Sequence, residues 1–247
     1  MIDDMLTVMW KERKGLLRLQ GSRTRTLLSL LVGIVMLAVV LPIQMGREWL
    51  TSAWSLIVVF LVPLLLVGTM VPESFAGERE RHTLETLLAS RLPDRAILFG
   101  KLVLAVAYGW GATLLILLVS LVIANVIKWN GQLAFYKPAV ALTDVVVSLL
   151  MAGLIASLGI LISLRASSVQ GATQALMFGF LIPIFVLQVT PMLLLSVVPN
   201  GEAVLKQVLS ADLRWVGLGL VGILVVVDVA LLLAAMARFQ RARLSLD

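Results

Sequence analysis

Six separated runs of mainly apolar residues, at 26–43, 53–71, 102–127, 145–164, 172–195 and 216–236, constrain this chain more than any other feature. A bilayer core about 30 Å thick takes about 17–25 residues of helix to cross. Within it every backbone group must be bonded inside its own segment. The runs have that length. The composition agrees: 60% of the 247 residues are hydrophobic and 14% are charged, against about 45–50% apolar and about 25% charged in ordinary soluble domains. Apolar surface in that excess needs lipid to face. The expected fold is an all-α integral membrane protein with six transmembrane helices, forming a single transmembrane domain over 1–247.

The basic residues set the expected orientation, because short cytoplasmic loops collect Lys and Arg. Fifteen of them, including Lys11, Arg13, Lys14, Arg18, Arg79, Arg81, Arg95, Lys101, Arg165 and Arg238, fall on the N-terminal side of the predicted spans. Five, Arg47, Lys128, Lys137, Lys206 and Arg214, fall on the other. Both termini are therefore expected in the cytoplasm of a cell (inner or plasma) membrane. The first run follows a long amphipathic stretch, and no small-residue cleavage site comes after it, so it is expected to stay as a signal anchor.

Several chemistries are excluded by residue type. With no cysteine the chain lacks thiolate sites and disulfides, and with a single histidine a Ser-His triad or a His-containing metal site would have to rest on His82 alone. There is no G-x-x-x-x-G-K-[ST] phosphate loop, so the chain itself has no means of hydrolysing nucleotide. Gly217, Gly219 and Gly222 match G-x-G-x-x-G but lie in an apolar run without the strand that a dinucleotide site requires. They read instead as small residues for close helix packing, as do Gly109 and Gly111. The net charge of +6 belongs to the membrane loops and does not indicate nucleic acid as a partner.

Two polar segments carry pattern. Residues 1–25 place Met5, Met9 and Trp10 near one face, with Lys11, Glu12, Arg13 and Lys14 beyond, which predicts an amphipathic helix on the membrane surface. Between the second and third runs, 73–101, Leu84, Leu87 and Leu88 form an apolar stripe on a short helix whose other faces carry Glu78, Arg79, Arg81, His82 and Glu85. Pro93 ends it, and Asp94 stands where an N-cap would open the next helix. Two readings suit such a segment, a docking helix for another protein or a solvated loop helix. Residues 133–142 are expected to lie at the opposite interface, and 196–215 to hold a short external helix.

The run ERERHTLETLLASRLPDRAILFGK, Glu78 to Lys101, resembles the cytoplasmic segment of type-2 ATP-binding-cassette (ABC-2) transporter permeases. In those proteins a Glu-basic-Glu-basic-Gly-Thr-Leu-Glu stretch is followed by Leu-Leu, a proline turn and Ile-Leu-x-Gly-Lys. WKERKGLLR, Trp10 to Arg18, is similar to the family's N-terminal surface helix, and SLRASSVQGATQAL, Ser163 to Leu176, to its tight turn between spans four and five. One departure is His82, which stands where the family usually has glycine. The resemblance implies a permease subunit of an ATP-driven exporter, working as a dimer with a second copy or a close relative. ATP and Mg would be handled by a separate nucleotide-binding ATPase subunit, with no cofactor on this chain. Carried over residue by residue, it makes Glu78, Glu80, Thr83, Leu84, Glu85, Leu87 and Leu88 an ATPase-docking coupling helix, with Lys11 and Glu12 beside it.

The rival reading is a self-contained, gradient-driven six-span transporter or channel. Its candidate residue is Asp228, an acid near the middle of the last run, where a charge costs about 2.5–3.5 kcal/mol on insertion scales. That cost can reflect a bond to a neighbouring helix, a place on the substrate path or a proton relay. Asp144 is expected at the outer interface, favoured there by a helix N-terminus. Pro63 and Pro183 fall mid-run and are candidate bends.

Overall fold

The computed structural model describes residues 2–17, 32–81, 91–127, 129, 131–197 and 213–239. Among these residues there are helices and connecting turns and no strand. We number the helices α1 (Ile2–Leu17), α2 (Val32–Met45), α3 (Glu48–Thr51), α4 (Leu56–Glu80), α5 (Asp94–Ile127), α6 (Pro138–Ser163), α7 (Val169–Val197) and α8 (Leu213–Arg238). Four helical stretches, Ala53–Glu80, Asp94–Ile127, Pro138–Ser163 and Leu218–Arg238, are long and apolar enough to cross a membrane. The chain is thus an all-helical protein with bilayer-spanning elements.

The centre of the bundle is α4, which packs most extensively on α6 and then on α5, while α7 lies against α4 and α6, and α8 against α6. Helices of this apolarity have no amphipathic stripe, so residue size decides which face turns inward. Gly109 on α5 lies where an added Cβ would collide with Val67 of α4, and a Cβ on Gly159 of α6 would come within 3.0 Å of Val71. These two glycines let α4 sit close to both neighbours. The outward faces stay apolar: Leu115, Leu118, Val122 and Val126 line one side of α5, and Leu218, Ile223, Val226 and Leu233 are exposed on α8. Apolar patches of this extent are not left to water. They are surfaces for acyl chains.

Three of the described helices differ from what the predicted spans suggest. The second predicted span does not stop at Val71, since α4 runs on through Pro72 to Glu80. The charged residues from Glu73 onward mark where the helix leaves apolar surroundings, and a helix does not end for that reason alone. In the same way α6 begins at Pro138, so the stretch at 133–142 is five residues without regular structure followed by helix, whereas α5 begins at Asp94, where the cap was expected. Pro138 takes the first helical turn, where its missing N–H is no loss. The first predicted span is represented by α2, a short apolar helix with a π turn at Met36–Val40; residues 26–31 lie outside the described residues. So does most of the external segment, at 198–212.

α1 also differs from the expectation. Its inward side is Val8, which is buried, and a Cβ on Gly100 of α5 would come within 2.9 Å of the Val8 Cβ. α1 is therefore seated on α5. Leu6 and Trp10 are the exposed apolar residues, and the Lys14 ammonium lies 3.7 Å from the Trp10 ring centre. The glycines of the last run fare differently: a Cβ on Gly219 or Gly222 would meet nothing within 4 Å. Close packing at those two positions is absent from the single chain.

Candidate functional site

Three polar centres stand in this apolar frame. The first is at the end of the bundle where α1 packs, here the proximal end. Lys101 is the eighth residue of α5 and only 3% exposed. Its ammonium meets Glu78 Oε2 at 2.8 Å and Glu12 Oε1 at 3.2 Å, donates to the Ser74 carbonyl, and lies 5.0 Å from the centre of the Phe75 ring. Lys11 then donates to Glu78 Oε1 at 3.3 Å. Two cations and two carboxylates thus join α1, α4 and α5 in one cluster. An ammonium taken out of water needs such company, because its desolvation costs several kcal/mol.

The neighbouring side chains tie the end of α4 to the turn between α6 and α7. Arg79 donates to the Leu164 carbonyl at 2.7 Å and to that of Ala166 at 3.3 Å, capturing acceptors that the end of α6 leaves unbonded. Glu80 Oε1 accepts from the Val169 N–H at 2.8 Å, at the first residue of α7, where an anion is favoured. Ser168 Oγ accepts from the Gly171 N–H as a cap of the same helix. Arg81 pairs with Glu73 one side over. The tight turn expected from SLRASSVQGATQAL is present at residues 164–168.

Of the residues carried over from the resemblance, Lys11, Glu12 and Glu78 are brought together, with Glu78 turned inward at 13% side-chain exposure. Glu80, the last residue of α4, stands apart from them and accepts from the first residue of α7. Thr83, Leu84, Glu85, Leu87 and Leu88 lie outside the described residues. Lys101, which the sequence reading counted only as a loop cation, is the hub. A signal for it exists: Gly100 beside it makes the room for α1, and a glycine next to a lysine at a helix entrance marks close approach more than solvation.

The second centre is Asp228 on α8. The Ser157 hydroxyl of α6 donates to its Oδ1 at 3.4 Å. A Cβ on Gly153 would come within 2.5 Å of Oδ2, so the carboxyl fills a notch that only glycine leaves open. Of the readings for this acid, a bond to a neighbouring helix is the geometry present. The sequence marked Asp228 but gave no sign of Gly153 and Ser157, which are 75 and 71 residues away along the chain.

The third centre is at the opposite, distal end. Trp49 is fully buried and donates from Nε1 to Tyr136 Oη at 3.2 Å, and Tyr136 donates on to the Leu117 carbonyl at 3.2 Å. Burial pushes the Tyr136 phenol well above its usual range; the Trp49 hydrogen bond works against this and the nearby Asp144 carboxyl adds to it. Asn125 clamps Ala134 with a pair of hydrogen bonds, at 2.7 and 2.8 Å, and the Lys137 N–H reaches the Leu50 carbonyl at 3.1 Å. Asp144 lies past the first turn of its helix. It is the seventh residue of α6 and 2% exposed.

Pro63 and Pro183 lie inside continuous helices. No group of three or more metal-ligating side chains occurs among the described residues. No protein-family model matches the chain, and no curated protein matches it.

Proposed function

We propose that this chain is the membrane-spanning permease subunit of an ATP-driven ABC-2 exporter, with six spans and both termini in the cytoplasm. On this reading it works as a dimer whose interface carries the substrate. The observation that carries the reading is the segment Glu78 to Lys101, whose residue order resembles the family's coupling segment. The proximal cluster gives that segment mechanical sense. Its two ends, Glu78 and Lys101, are bonded to each other at 2.8 Å and to α1 through Lys11 and Glu12.

An ATPase that moves the intervening residues would therefore move α1, α4 and α5 together. Through Glu80 and Arg79 it would also pull on the turn leading into α7. In this division of labour Leu84, Leu87, Leu88, Thr83 and Glu85 dock, while Glu78 and Glu80 transmit. ATP and Mg belong to the partner. The exposed apolar faces of α7 and α8 are available to lipid or to the second permease copy, and the lack of contacts at Gly219 and Gly222 suits the latter.

The test is affinity purification of the tagged chain from its own membrane in mild detergent, with an ATPase assay on what accompanies it. A stoichiometric ATPase, lost on Leu84→Asp with Leu87→Asp, supports the proposal. Transport that persists in ATP-depleted vesicles with no nucleotide-binding partner overturns it and returns the energy source to a gradient, with Asp228 as the acid to examine.

A further inference from the structure

The Asp228 carboxyl has an unused side. Asp228 is the central residue of the bilayer-long stretch Leu218–Arg238, and among the described residues α8 packs extensively on α6 alone. Oδ1 accepts from Ser157 at 3.4 Å. Oδ2 rests over Gly153 and has no hydrogen-bond partner among the described residues, and the half-buried side chain leaves it unsealed.

No cation of the surrounding helices can neutralise this group. The one charged residue of α6 is Asp144, nine residues before Gly153, and α7 has none. On α8 itself Arg214 and Arg238 lie fourteen and ten residues from Asp228. Asp94 and Arg95 of α5 meet α8 only at its proximal end, around Met236 and Phe239. A carboxylate at this depth costs about 2.5–3.5 kcal/mol on insertion scales. A proton on Oδ2 would remove the charge but leave an O–H with no acceptor among the described residues, which is itself unfavourable. A cation that donates an N–H to Oδ2 answers both needs.

The surroundings say which cation. Val225, three residues before Asp228, and Leu149, four before Gly153, are exposed, so alkyl groups wall the groove beside the carboxyl. A hard metal ion takes about six or more oxygen ligands, and no cluster of ligating side chains surrounds Asp228 among the described residues. An anion would be repelled. An organic ammonium brings its own apolar body and needs only one carboxylate.

We propose that the groove between α6 and α8 binds a lipid-soluble amine in its ammonium form, with the charge paired to Asp228 Oδ2 and the alkyl part lying along Val225 and Leu149. Any proton held by the empty acid is released to water as the ammonium binds. Asp228 thereby selects cationic amphiphiles over neutral and anionic ones. As a cargo site the groove rests on the exporter reading; as a binding site it does not.

The test is equilibrium binding of radiolabelled dodecylamine, an ammonium at pH 7, to the purified full-length chain in lipid nanodiscs, with empty nanodiscs as the blank. Saturable binding is expected, displaced by unlabelled dodecylamine and not by dodecanol or dodecyl sulfate. Asp228→Asn keeps the shape and loses the charge, and should weaken binding about tenfold or more; Asp228→Glu should retain it. Where Asp228→Asn does not fold, the displacement pattern of the wild type decides. Equal displacement by dodecanol, unchanged binding in Asp228→Asn, or no saturable binding above the blank overturns the proposal. Because no ATPase enters the measurement, its outcome is separate from that of the affinity purification: a chain that binds the amine without an ATPase partner keeps the site and loses the exporter reading.

Discussion

Lys101 shows how a single cation can order the proximal end. It is bonded to two carboxylates from two other helices and has almost no access to solvent, so its removal takes away the buried charge that joins Glu12 to Glu78 and leaves the exposed Lys11 on Glu78. Lys101→Met is expected to lower stability by about 3–5 kcal/mol, the usual result of breaking a buried pair from one side. Adding Glu78→Gln and Glu12→Gln should recover much of the loss, and thermal melts of the four proteins check both halves. Asp228 is held differently, by shape. Gly153→Ala places a methyl group 2.5 Å from where Oδ2 now sits, and the overpacking should cost about 1–3 kcal/mol. In the Asp228→Ala background the same change should be nearly neutral. A double-mutant cycle on Tm reads this coupling directly; additive effects would separate the two residues. The sequence displayed Asp228 openly, because an acid in an apolar run is conspicuous. Gly153 and Lys101 were hidden in plain composition, since their meaning depends on which distant helix arrives beside them.

At the scale of elements, the apolar runs announced most of the helices and misplaced their ends. A hydropathy run stops where the surroundings become polar, yet α4 continues for nine residues beyond Val71 because nothing in VPESFAGERE breaks the hydrogen-bonding pattern once Pro72 is accommodated. The same cause moves the start of α6, while Asp94 had marked the start of α5. α1 was legible as an amphipathic helix, but its seat on α5 was not: Met5, Met9 and Trp10 are the conspicuous large residues, while the contact is made by Val8 because Gly100 leaves a hollow of its size. This predicts a sharp test in a chain without native cysteine. Val8→Cys should react slowly with a water-soluble maleimide. Adding Gly100→Leu, which fills the hollow, should raise the labelling rate at least tenfold as α1 lifts from α5. Equal rates in both proteins would mean that α1 does not depend on this contact.

For the whole molecule, the two ends of the bundle have opposite characters. The proximal end is an ionic lock among α1, α4 and α5, with Arg79 and Glu80 reaching the α6–α7 turn. The distal end is a tight aromatic and amide clasp around Trp49, Tyr136 and Asn125. On the proposed reading the proximal end faces the cytoplasm, since the predicted spans leave fifteen basic residues on that side against five on the other, an excess of the kind that sets topology. Single cysteines at Leu87 and Val204, in segments that flank α4 and α8 on opposite sides of the predicted topology, make this measurable. In right-side-out vesicles Val204→Cys should react with an impermeant maleimide and Leu87→Cys only after permeabilisation. The reverse pattern would invert the protein in its membrane, place Leu84, Leu87 and Leu88 beyond the reach of any cytoplasmic ATPase, and remove the docking surface on which the exporter reading depends. Labelling of both sites from one face would instead remove the odd number of spans, three, predicted between them, and with it the six-span topology itself.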